Sequence, residues 1–157
     1  MLNAGFSELL VASLAAILVA AAVIDMRTFT ISNRLNLVVA AMAPLFWWSI
    51  QLPVWPHAAM QLAVAAGVFV LLAGAFYAGL MGGGDVKLAA ALSLWFSPES
   101  TVKFLVLMSI AGGLLTLGLL GWHKFQGKSG RPQIPYGVAI AIGGLGILAQ
   151  RFLNQFA

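Results

Sequence analysis

Asp25 and Asp85 are two of only four acidic residues in a chain of 157. Asp25 closes one long apolar run. Asp85 follows three glycines in Met81-Gly82-Gly83-Gly84-Asp85-Val86-Lys87. An ionisable side chain in or beside an apolar membrane segment is costly, so it is retained where it has a task. Two carboxylates that share a site cannot both ionise easily, and the pair holds one proton between them. The ionised member can then take a proton from water, while the protonated member donates a hydrogen bond to a carbonyl oxygen. That is aspartic-protease chemistry, and it needs neither metal nor cofactor. Taken singly, each acid could instead be a helix cap, Asp85 for a helix beginning near Val86.

The rest of the chain is what makes these acids conspicuous. It is 62% hydrophobic and only 8% charged, with a mean hydropathy of +1.00, against roughly 45–50% apolar and about 25% charged in soluble domains. Long unbroken apolar runs without alternation imply a helical bundle in lipid, not a barrel. The expected fold is all-α: one polytopic domain over residues 1–157 with about six spans. These are Phe6–Ile24, Leu35–Ile50, Ala58–Leu80, Val86–Phe96, Phe104–Trp122 and Tyr136–Leu153. Val86–Phe96 is too short alone and is expected to extend back through the glycines or to tilt. The N-terminal run has no basic residue before Arg27, which makes it a retained helix and not a cleaved signal.

The net charge of +4 need not mean nucleic acid. With the N-terminus outside, six spans place Arg27, Arg34, Lys87, Lys124, Lys128 and Arg131 inside, and only Lys103 and Arg151 outside. That is a positive-inside bias. The same topology brings Asp25 and Asp85 to one membrane face, although they are distant in sequence. Both termini fall outside.

Other residues receive simpler readings. Gly82, Gly83 and Gly84 lack side chains and so admit a close, extended substrate backbone. They lack the spacing of a phosphate-binding loop. Lys87 could act on Asp85 or meet an acidic substrate side chain, or it could reach the interface. Ala63–Gly67, Gly74–Ala78, Gly137–Ala141 and the pairs Gly112-Gly113 and Gly143-Gly144 read as helix-packing faces. Trp47, Trp48, Trp55, Trp95 and Trp122 read as interfacial belts. The chain has no cysteine, and His57 and His123 fall on opposite sides, so no metal site is expected.

Asp25 with Arg27 and Asn33, the Gly82-Gly83-Gly84-Asp85-Val86-Lys87 motif and Ile134-Pro135-Tyr136-Gly137-Val138-Ala139 together resemble the type IV prepilin peptidases, membrane aspartyl proteases of the GxGD class. The resemblance implies that Asp25 and Asp85 are the catalytic pair. It also implies multi-pass placement in a bacterial inner membrane and cleavage of the basic leader ahead of a prepilin's hydrophobic helix at the cytoplasmic face. Without the paired cysteines of larger relatives, the chain is similar to the compact form that serves Flp-type pili. It departs from the family in Ser32, where Pro is frequent, and in Val138. The rival from another class is a small proton-coupled transporter. Such sites lie near the midplane between inverted repeats, whereas these acids lie near span ends and no repeat is visible.

The carboxylate reading predicts that activity survives EDTA. Full loss with EDTA that zinc restores, in a purified cleavage assay, would point to a metalloenzyme instead.

Overall fold

The computed structural model describes residues 2–127 and 133–154. Lys128 and Arg131, counted above among the inner charges, lie outside them. Among the described residues there are six α-helices and no strand: α1 (Leu2–Thr28), α2 (Asn33–Ser49), α3 (Ala59–Tyr77), α4 (Gly83–Ser93), α5 (Pro98–Phe125) and α6 (Tyr136–Asn154).

Four segments are long and apolar enough to cross a membrane: Gly5–Thr28, Val54–Tyr77, Pro98–Phe125 and Tyr136–Asn154. The other two expected spans differ. Helix α2 has 17 residues with Pro44 inside, about 25 Å at 1.5 Å per residue. Helix α4 has 11 residues, about 16 Å, and cannot cross a hydrocarbon core of about 30 Å. It gains only Gly83 and Gly84 from the glycine run, and Gly82 stays extended at its N-cap (φ −74°, ψ 146°). A helix this short is tolerable because protein surrounds it. Val86, Leu88, Ala89 and Leu92 are all buried, and α2, α3 and α6 pack around α4. Its free ends therefore meet protein groups and not lipid.

Local chemistry explains the boundaries. Helix α1 ends at Thr28, where Phe29 turns left-handed at φ 52° and its N–H donates to the Asp25 carbonyl at 2.8 Å. Ser32, in the place where Pro is frequent among the family it resembles, is the N-cap of α2. Its hydroxyl accepts from the Leu35 N–H at 3.3 Å, as N-cap hydroxyls do. Ser97 caps α5 in the same way, accepting from Ser100 N–H at 3.3 Å, with Pro98 in the first turn. Residues 98–101 thus already belong to α5.

Two of the five tryptophans leave the expected belts. Trp95 is 4% exposed, stacks on Phe46 with ring centroids 5.1 Å apart and donates its indole N–H to the Val39 carbonyl at 3.0 Å. Trp47 donates to the Leu94 carbonyl at 2.8 Å. A buried indole N–H must find an acceptor, and here both acceptors tie α2 to α4. Trp48, Trp55 and Trp122 are exposed, in keeping with interfacial positions.

The small-residue faces also divide. A Cβ on Gly143 would lie 3.1 Å from Met108 N and Phe104 O, and one on Gly144 would lie 2.9 Å from Leu18 Cδ1. These two glycines let α6 seat against α5 and α1. Gly67, Gly74 and Gly113 have nothing within 4 Å, so their faces are not packed within the chain.

Gly143→Ala should therefore lower thermal stability in detergent, by about 1–3 kcal/mol for an overpacked contact. Gly67→Ala should be neutral or stabilising, by up to about 1 kcal/mol for removing a helix-interior glycine. A thermal melt of both variants that shows the reverse order would contradict this packing.

Candidate active site

Asp25 lies in the last turns of α1, and Asp85 in the first turn of α4. They are 2% and 8% exposed. Each acid is held by the start of a helix. Asp25 Oδ2 accepts the Gly137 N–H at 2.7 Å, while the Val138 N–H donates to the Pro135 carbonyl at 3.1 Å. Gly137 belongs to the first turn of α6, whose N–H groups have no partner within their own helix. Asp25 therefore serves as the N-terminal anion of a helix more than a hundred residues away. Asp85, three positions after the N-cap of α4, reaches back to the Gly82 N–H, as the third-position side chain of a capping box does.

The capping and acid-pair readings thus describe the same atoms. The positive ends of two helix dipoles converge on two carboxylates. Ile31 borders both acids: its carbonyl lies against Gly84, next to Asp85, and its side chain lies against Gly137, next to Asp25. Asp25 Oδ2 is committed to the start of α6, while Asp85 Oδ1 is buried without a donor among the described residues.

The connection between α1 and α2 wedges the two acids' helices together. A Cβ on Gly84 would lie 2.5 Å from the Ile31 carbonyl oxygen, so the backbone that Gly84 admits within this chain is that of Ile31. The Ile31 side chain then reaches α6, where its Cδ1 would lie 2.6 Å from a Cβ on Gly137. The same Cβ would lie 2.8 Å from Asp25 Oδ2. At Gly82 a Cβ would stand 2.8 Å from Asp85 Oδ2. Only glycine fits these places without displacing a carboxylate or a backbone.

Lys87 lies away from the acids. Its Nζ donates to Asn33 Oδ1 at 2.8 Å and is exposed, because two residues along a helix turn a side chain to the opposite face. Gly137 stands out in the sequence as part of a family-like segment and a packing face, but nothing there marks it as a partner of Asp25. Ile31 carries no chemical signal. Asn36 donates Nδ2–H to the Gly84 carbonyl at 2.9 Å, and only its presence inside the apolar run Leu35–Ile50 marks it.

The family model of the type IV leader peptidases matches residues 12–117, more than half of the chain. The match includes both aspartates and ends before Gly137. No curated protein and no solved structure matches.

Gly137→Ala and Gly84→Ala should each abolish the chemistry of the pair while the chain still inserts into membranes. A displacement of about 1 Å can cost on the order of a hundredfold in rate. Near-normal turnover by either variant in a cleavage assay would show that these contacts do not position the acids.

Proposed function

This chain belongs to the type IV leader peptidase family, and we propose that Asp25 and Asp85 are the catalytic pair of an aspartic endopeptidase that removes the leader from prepilins. The observation that carries the reading is that the two acids, scarce in the sequence, are buried together where α1, α4 and α6 meet, with Asp85 Oδ1 left without a donor. On this reading the site takes a peptide carbonyl and a water. One carboxylate accepts a proton as the water oxygen bonds to the carbonyl carbon. The other, protonated, donates to the carbonyl oxygen, giving a neutral tetrahedral diol. As the diol collapses the C–N bond breaks, the proton first taken from water passes to the leaving amine, and a diol hydroxyl returns its proton to the other, now ionised, carboxylate while the C=O bond reforms, which restores the pair. Asp85 Oδ1 is the oxygen assigned to the water, since no donor within the chain competes for it.

Gly82 and Gly83 are proposed to admit the extended substrate backbone beside Asp85. Gly82 is exposed, and its backbone is already extended. Lys87 is proposed as a substrate contact at the same end of the bundle, held ready by Asn33. That end also carries Arg27 and Arg34, which supports placing it in the cytoplasm by the positive-inside rule. Both termini then lie on the outer side of the bacterial inner membrane. A Flp-type prepilin is the substrate proposed.

Asp25→Asn and Asp85→Asn should each abolish cleavage of a purified prepilin, with loss of at least about a thousandfold, the scale at which groups of a catalytic unit fail together. Both variants should still insert into the membrane. Either one retaining near-normal cleavage defeats the acid pair. Proton-coupled flux into liposomes without cleavage would favour the transporter.

A further inference from the structure

Helices α2 and α3 both pack on α4 but hardly touch each other. Between them runs an open groove of about 540 Å³ with α4 as its floor. At the end nearer the acids its mouth is polar, formed by Asn33, Asn36 and Lys87; beyond the mouth the alanines Ala40, Ala65 and Ala90 share the lining with the larger Leu37 and Phe69. The geometry points to this groove as the seat of the substrate's own apolar helix, the segment that follows the scissile bond. The inference rests on the peptidase reading.

Three observations favour a peptide helix over lipid chains as the occupant. First, small residues on the groove walls allow close approach of helix backbones, the main source of helix association in a bilayer. Fluid acyl chains gain nothing from such smallness. Second, the mouth offers hydrogen-bonding groups to a backbone that is leaving its helix. Asn36 is 6% exposed and already spends its Nδ2–H on Gly84. Its Oδ1 is buried without a donor among the described residues. Once the Asn36 side chain turns toward the mouth, a peptide N–H satisfies that oxygen and an acyl chain does not. Third, the groove opens at the same end of α4 as the candidate site, on the other side of that helix. Lys87 at the mouth is two residues from Asp85, on the opposite face of the first turn of α4.

A chain leaving the groove would have to cross the start of α4 to reach the acids. At that start stand Gly82, beside which only Asp85 lies, and Gly83, which the Phe76 ring flanks, so the crossing runs over Gly82. The groove thus separates recognition from chemistry. The apolar helix is held on one face of α4, and its unwound end passes over Gly82 to the other.

Because the chain has no cysteine, single cysteines can test this directly. Leu37→Cys, Phe69→Cys and Ala90→Cys in the groove would each be paired, in membranes, with single cysteines along the apolar helix of a prepilin. Leu114→Cys on the exposed face of α5 is the control. The expected result is oxidative cross-linking at the three groove positions, with a helical period along the substrate, at least about tenfold above the control. Tenfold is the scale of one helix–helix contact. Ala90→Phe should also lower cleavage of the membrane-embedded substrate about tenfold more than cleavage of a short soluble peptide spanning the same bond.

Cross-links at Leu114→Cys only, or at no position while the unmodified chain cleaves the prepilin, would assign the groove to lipid and overturn the inference. The peptidase reading would survive that result. Equal effects of Ala90→Phe on the two substrates would also overturn it. Failure of the unmodified chain to cleave either substrate would remove the peptidase reading, and the groove assignment with it.

Discussion

The Gly137 N–H to Asp25 carboxylate hydrogen bond is the contact on which the arrangement of the site depends. It joins the end of α1 to the start of α6 at 2.7 Å. A helix start inside a bundle has amide groups that lipid cannot satisfy, and a buried carboxylate needs donors. Each solves the other's problem. The bond also requires glycine at 137, since a Cβ there would lie 2.8 Å from the oxygen it must approach. The residue that positions Asp25 is thus defined by the atom it lacks. Asp85 repeats the device on a smaller scale within α4, reaching back to Gly82.

Helix α4 explains how a second acid is delivered to the first. A spanning helix would end near the membrane surface, whereas α4 is half that length and starts inside the ring formed by its neighbours. Its ends are held by side chains of α2: Asn36 on the Gly84 carbonyl at one end and Trp47 on the Leu94 carbonyl at the other. Trp95 returns the favour to Val39. These polar contacts replace the lipid anchors of a full span. Helices α2 and α3 both lean on α4 and hardly touch each other, which leaves the groove between them.

Much of this was legible in the residues, and the limits of that legibility have physical causes. Apolar runs mark helices because a membrane admits little else, so all six helices could be placed and four of them reach full spanning length. The two aspartates stood out because charge is scarce. What could not be read was the partner of each polar group. Trp95 looks the same in a belt as in a core; only the proximity of Phe46 and the Val39 carbonyl makes it a core residue. Gly137, Gly143 and Gly67 are one residue type with three fates: a place beside a carboxylate, a helix contact, and an open face.

By itself, the sequence determined that this chain is a bundle of membrane helices with two costly acids near the ends of different apolar runs. Hydrophobic runs and rare charges are properties of the residues alone. Only the tertiary structure decided that the α6 start caps Asp25, that Ile31 rather than a ligand fills the approach at Gly84, and that Lys87 turns away from the acids to Asn33. Those outcomes depend on which helix ends converge and on the absence of a Cβ at the points of convergence, and a single strand of residues carries no record of either distance.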